Sequence, residues 1–331
     1  MEQQVLGRSG RLVSVVGLGT WQLGADWGDV SETDARDALE ASLEAGVTFY
    51  DTADVYGDGR SEQMIGAFLK DHADAGITVA TKMGRRTDQV PENYVLANFR
   101  EWADRSRRNL GVERLDLVQL HCPPTAVYST DEVYDALDTL VEEGVMANYG
   151  VSVETTAEAL TAISRPGVAT VQIILNAFRL KPLDEVLPAA SEAGVGIIAR
   201  VPLASGLLSG KYSADTTFAE NDHRNFNREG GAFDVGETFS GVPYEVGLEA
   251  AGRFTELTAT CFDGSLTPAQ AAIAWVWQRP GVSTVIPGAR NADQARANAA
   301  AGDATTLGPL FTSGVREIYE ELIKEHVADK W

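Results

Sequence analysis

The chain has 331 residues, 44% of them hydrophobic, and a formal net charge of −21; that is enough apolar material for a large core, and too acidic a balance for a surface that neutralises nucleic-acid phosphates or anionic lipid. Cys122 and Cys261 are the only cysteines and show neither CxxC nor Cys/His ligand spacing, which argues against a disulfide framework and against a zinc site. No apolar stretch reaches the length of a membrane span and Met1–Arg11 lacks a signal-peptide core, so a cytoplasmic protein is expected, with no metal, nucleic-acid or membrane partner.

From Gln4 to Gly17 polar and apolar residues alternate around Ser9-Gly10, which predicts a β-hairpin ahead of the main fold, placed to plug its floor. Ser31 caps a helix with Ala35, Ala38, Leu39, Ser42 and Leu43 on one face; Gly46 ends it, and Val47–Tyr50 reads as the first strand of a barrel. The same junction of glycine and β-branched residue recurs at Gly76-Ile77, Gly111-Val112, Gly144-Val145, Gly167-Val168, Gly194-Val195 and Gly281-Val282. A glycine that closes a helix at φ > 0 just before a buried strand marks a βα unit. Between Arg200 and Leu266 the period breaks, and Thr217–Val242 is rich in Gly, Asn, Asp and Phe; loops of that length in compact domains are functional or mobile. Thr267 then opens another amphipathic helix through Ala271, Ala274 and Val276, followed by a seventh strand at Val282–Ile286, an eighth at Asp303–Leu307 and a terminal helix at Thr312–Val327. The expected fold is α/β: a single (β/α)8 TIM barrel over residues 1–331, with an N-terminal β-hairpin and a long loop insertion after strand 6. Reactive groups then belong on the carboxyl face of the strands.

The runs end on such groups. Asp51, Tyr56, Lys82 and His121 come from three successive strand ends, which a barrel brings round one rim. A lysine beside a tyrosine in a desolvated pocket favours the phenolate and lowers the tyrosine pKa from about 10, while a carboxylate keeps the lysine charged. Tyr56 then reads as a general acid and His121 as the group that orients the same substrate oxygen. Taken singly, Asp51 reads equally as a helix cap, Tyr56 as a loop aromatic, Lys82 as a solvated strand end and His121 as the partner of a buried carbonyl. The four in order favour the joint assignment.

The stretches Gly17-Leu18-Gly19-Thr20-Trp21, Asp51-Thr52-Ala53-Asp54-Val55-Tyr56-Gly57, Thr81-Lys82, Leu120-His121, Gly150-Val151-Ser152, Pro202 to Lys211 and Ile286-Pro287-Gly288 resemble those of aldo-keto reductases, in the same order and over nearly the whole chain. The resemblance implies an NADPH/NADP+-dependent oxidoreductase that interconverts a small-molecule carbonyl and an alcohol, with Asp51, Tyr56, Lys82 and His121 as catalytic tetrad. It also implies cofactor contacts from Gly19, Thr20, Trp21 and Asp51, from Pro202, Leu203, Ser205, Leu207 and Lys211, and from Ile286, Pro287 and Gly288. Ser152, Gln172 and Asn176 match positions that hold the nicotinamide carboxamide, although a lone serine or glutamine at a strand end is often only a satisfied polar group.

The nucleotide argument also stands on physics. Gly17-Leu18-Gly19-Thr20-Trp21-Gln22 carries only the first two glycines of a dinucleotide fingerprint and lies in the wrong place for one. Barrels bind phosphate after their last two strands, and there Arg290 precedes a helix beginning near Asn291, where it can contact a 2′-phosphate. The resemblance places Gln294 and Asn298 near the adenine; the plainer reading makes Asn291 and Gln294 a capping pair. Val153 stands where many relatives have asparagine, and Arg200 where many have an aromatic ring on the nicotinamide. Arg200 therefore reads either as a guanidinium packed beside the nicotinamide and neutralised nearby, or as an outward salt bridge. Trp21, Trp27, Phe226 and Phe233 line a substrate pocket or simply pack. The rival function is a cofactor-binding sensor or regulatory subunit with little turnover; the intact tetrad weighs against it.

Overall fold

Glycine ends the helices where the pattern places it. Gly111 (φ 67°) and Gly194 (φ 69°) close their helices in the left-handed conformation, each donating its N–H back to the last turn, a geometry that costs other residues steric strain. Gly167 is the exception among the seven, with no positive φ. The computed structural model describes residues 1–24, 30–220 and 222–331. In chain order its strands are β1 (Gln3–Val5), β2 (Leu12–Ser14), β3 (Leu18–Gly19), β4 (Phe49–Asp51), β5 (Thr78–Met83), β6 (Leu115–His121), β7 (Met146–Ser152), β8 (Val168–Ile174), β9 (Gly196–Arg200) and β10 (Val282–Val285). The main helices are α1 (Glu32–Glu44), α2 (Arg60–Asp71), α3 (Leu96–Leu110), α4 (Asp131–Glu142), α5 (Thr156–Ile163), α6 (Val186–Ala193), a short α7 (His223–Phe226), α8 (Tyr244–Phe262), α9 (Pro268–Trp277), α10 (Ala292–Ala299) and α11 (Pro309–Ile318).

Strands β3 to β10 form one parallel sheet in chain order. Parallel bridges Val16 to Val285 and Gly19 to Gly288 join its two edges, through Gly17 N–H to Val285 O at 2.8 Å and Gly19 N–H to Pro287 O at 3.0 Å. This is the expected (β/α)8 architecture, with the strand count displaced by one. Leu18–Gly19, outside the expected hairpin and not read as a strand, is the first barrel strand; Phe49–Asp51 is the second, and the insertion after Arg200 follows the seventh. Asp303–Leu307 is not a strand. Its slot in the sheet is filled by β3, and the segment is held instead by Gln278, whose side chain bonds Ala304 O, Thr305 O and Leu307 N–H.

The hairpin is the antiparallel pair β1–β2. Leu6 and Val13, both fully buried, pack with Phe49, Ala80, Leu117, Ile198 and Ile286 from the barrel strands, so the hairpin fills the amino end of the barrel and reactive groups are left to the other end. Ser31 caps α1 by accepting from Asp34 N–H. Helix α8 lies inside the stretch read as aperiodic; its buried Gly247, Ala250, Ala251, Phe254 and Thr258 follow helical spacing, but three of these five are Gly or Ala and blur the stripe. No helix among the described residues is long and apolar enough to cross a membrane.

Candidate active site

Parallel register aligns the strand ends: Gly19 faces Asp51, Lys82 faces Gln119, and His121, Ser152 and Gln172 lie in one row across β6, β7 and β8. Asp51 and Lys82 are 2% and 1% exposed. Lys82 Nζ forms an ion pair with Asp51 Oδ1 and donates to Thr52 O at 3.0 Å and Tyr56 Oη at 3.4 Å. Gln172 Nε2 and Gln119 Nε2 donate to Asp51 Oδ2 at 2.7 and 3.1 Å, so every acceptor of the buried carboxylate is aimed. The Tyr56 and His121 rings meet edge to face, with centroids 6.0 Å apart. The four residues read from the sequence as a cluster are therefore one cluster in space.

Protonation follows from burial and neighbours. Burial opposes the charge of Lys82, but Asp51 and Tyr56 beside it together outweigh this and hold the ammonium above its ordinary value. Burial pushes the Tyr56 hydroxyl up, and the pull of Lys82 is the weaker effect. The expected lowering of Tyr56 is thus corrected: desolvation of a phenolate among Asp51 and Glu237 wins over one cation. His121 is driven well below the usual imidazole range by burial and by Arg85, Lys82 and Arg200, so its ring is neutral.

Tyr56, His121 and Asp51 open onto a cavity of about 700 Å³, within the size range of small-molecule sites. Asp51, Tyr56, His121, Ser152, Gln172 and Arg200 line it, as do Gly19, Thr20, Trp21, Pro202, Leu203, Ser205, Ile286, Pro287 and Gly288, and Lys211, Arg290, Gln294 and Asn298 with Arg224 and Tyr212. Lys82 lies behind Tyr56 and is not in the wall. Leu207 is not there either: it is 1% exposed and sits where a Cβ on Gly247 of α8 would meet it. Asn176 is also withdrawn, donating to Val201 O and Ser240 Oγ and accepting from Phe178 N–H. Asn291 caps α10 by accepting from Gln294 N–H, and Gln294 Oε1 accepts from Arg290 N–H at 3.0 Å, so the capping pair is real. Asn298 Nδ2 donates to Gly288 O. The Arg290 guanidinium lies 3.9 Å from Asp222.

Arg200 occupies neither of the positions read for it in full. It is 6% exposed and lines the cavity, but its guanidinium is clamped between two acids: Nη2 bonds Glu154 Oε2 at 2.8 Å and Val153 O at 3.0 Å, and Nη1 pairs with Glu237. Burial disfavours its charge, yet the two carboxylates hold it far above the ordinary guanidinium value. Glu154 and Glu237 escaped sequence reasoning. Glu154 stands two residues beyond Ser152, a position that could have been weighed; Glu237 lies in the aperiodic insertion with no local signal. Arg85, three residues past Lys82, was passed over as well. Of the aromatics, Trp21 and Phe233 line the cavity, with ring centroids 5.8 Å apart; Phe226 is 49% exposed; Trp27 lies outside the described residues.

The aldo/keto reductase family model matches residues 15–320. An oxidoreductase of Mycobacterium tuberculosis is 34% identical over 302 residues, covering 88% of this chain and 85% of its own. A probable voltage-gated potassium channel subunit beta of Oryza sativa is 29% identical, covering 98% of this chain and 97% of its own. The solved glycerol dehydrogenase of Gluconobacter oxydans superposes with a TM-score of 0.78 at 27% identity, over 99% of this chain and 97% of that one.

Proposed function

The chain belongs to the aldo/keto reductase family, and we propose that it reduces an aldehyde or ketone to an alcohol, reversibly, with NADPH as reductant and Tyr56 as proton donor. The observation that carries this reading is the buried Lys82–Asp51 pair with Tyr56 Oη 3.4 Å from the ammonium, at the wall of a cavity large enough for cofactor and substrate. When bound, NADPH supplies hydride to the carbonyl carbon. The Tyr56 O–H donates to the carbonyl oxygen, and the charged Lys82 behind it stabilises the phenolate as the proton leaves. His121, neutral, has no spare proton at neutral pH and serves to orient the substrate oxygen. Gln119 and Gln172 fix Asp51, which keeps Lys82 charged.

The donor set fits the cofactor. Ser152 lines the cavity and would contact the nicotinamide amide; Gln172 has its amide nitrogen committed to Asp51, which leaves its oxygen to accept from that amide. Lys211, Arg224 and Arg290 add cationic groups to the cavity wall, and Arg290 precedes the capped amino terminus of α10, where anions are favoured. Arg290→Ala is expected to weaken NADPH binding by about 1.5–3 kcal/mol, the scale of a charged hydrogen bond, with NADH nearly unchanged. Fluorescence titration with both cofactors checks this; equal loss for both would assign Arg290 to the helix start instead.

A second reading is a cofactor-binding regulatory subunit, favoured by the identity to the rice channel subunit over nearly the whole chain. NADPH oxidation measured with a panel of small aldehydes separates the two. Turnover supports the reductase; cofactor binding without turnover on any aldehyde supports the subunit.

A further inference from the structure

The cavity wall contains a cation whose hydrogen-bonding capacity the fold leaves partly unused. Arg85 follows Lys82 out of β5 and lines the same cavity as Tyr56, His121 and Trp21. Its Nε donates to His121 O at 3.1 Å, and Nη2 stands 3.7 Å from Glu154 Oε1, too far for a hydrogen bond. Among the described residues neither terminal nitrogen makes one. Arg200 is the opposite case, its terminal nitrogens taken by Glu154, Glu237 and Val153 O. The two carboxylates nearest to Arg85 are therefore committed mainly to Arg200. His121 is joined to Arg85 through its own carbonyl, and Arg85, Lys82 and Arg200 all act to keep its ring uncharged.

We propose that Arg85 is a specificity-determining residue, and that its two terminal nitrogens receive the carboxylate of a substrate bearing one near its carbonyl group. The inference rests on the reductase reading of the same cavity and names its substrate class: carbonyl compounds that are also carboxylic acids. The chemistry favours a carboxylate over a neutral oxygen because the planar guanidinium presents two parallel N–H groups that match both carboxylate oxygens at once. Trp21 and Phe233, which line the same cavity, supply apolar wall for the carbon skeleton between the two polar ends. The internal competitor is Glu154 Oε1, which is buried without a hydrogen-bond partner and toward which Arg85 could close.

The test compares 3- and 4-carboxybenzaldehyde with their methyl esters, matched in skeleton and different in charge, using wild type, Arg85→Gln and Arg85→Lys. Wild type is expected to favour the acids in kcat/KM, and Arg85→Gln to lose roughly 10- to 100-fold more on the acids than on the esters, the scale of a charged bidentate contact, through KM rather than kcat. Arg85→Lys keeps the charge without the fork and is expected to retain part of the preference. A direct binding measurement keeps the inference separate from turnover: calorimetric titration of benzoate against benzamide into the NADP+-saturated protein. Tighter benzoate binding in wild type that vanishes in Arg85→Gln supports carboxylate recognition even if no aldehyde is reduced, in which case the reductase reading alone fails. Equal binding of benzoate and benzamide by wild type, or a preference that survives in Arg85→Gln, overturns the proposal and leaves Arg85 as a structural partner of Glu154.

Discussion

Tyr56→Phe lowers carbonyl reduction by about 10²-fold or more, the usual worth of a positioned general acid, while NADPH affinity is retained. The ring stays, so its edge-to-face contact with His121 stays; only the O–H beside Lys82 is lost. The pH profile sharpens this. Because burial raises the Tyr56 pKa above its ordinary value, the acid form persists through neutral pH, and reduction is expected to fall only above about pH 10. His121 sits well below the imidazole range, so no limb near pH 6.5 is expected from it. Rapid-mixing measurements, in which hydride transfer is isolated from product release, check both features. A rate in Tyr56→Phe near that of wild type, or an inflection near neutrality that disappears in His121→Gln, would move the acid role away from Tyr56.

Arg200→Leu is expected to cost roughly 3–5 kcal/mol of stability, the range for removing one partner of a buried ion pair. The substitution leaves Glu154 and Glu237, 16% and 15% exposed at their side chains, facing one another without the guanidinium that lies between them. The sign of its pH dependence follows from Glu237. Burial works against its charge, but Arg200 holds its folded pKa below the ordinary 4.5, so its contribution is present above that value and is lost as pH falls through the folded value. Burial pushes the Glu154 carboxyl above its ordinary value, so the gap between wild type and Arg200→Leu should be full at neutral pH, begin to narrow as Glu154 takes up a proton, and close below pH 4.5 with Glu237. Urea unfolding at a series of pH values measures it. A gap of a few tenths of a kcal/mol, independent of pH, would show that the clamp is not a structural pair.

What could be read from the residues alone was what strand ends and helix stops encode locally. Asp51, Lys82 and His121 each close an apolar run, and the register of parallel strands then brings them together without further information. Leu18–Gly19, just past the hairpin, is not legible as a strand because two residues carry no period to detect; that one omission pushes the count along and creates a false eighth strand at Asp303–Leu307. The setting of Arg200 was hidden for another reason. Its partners lie 46 residues earlier and 37 residues later, so the clamp exists only in the folded chain. The direction of the Tyr56 shift was misjudged because a neighbouring cation is visible in a motif and the depth of burial is not.

The most direct test of the account is the fate of deuterium from NADPH doubly labelled at nicotinamide C4, incubated with the wild-type protein and the carboxybenzaldehydes or their esters. The account predicts that the product alcohol carries the label on its carbinol carbon and that Tyr56→Phe forms it far more slowly at saturating cofactor. Tight NADPH binding with no labelled alcohol from any of these aldehydes would contradict it.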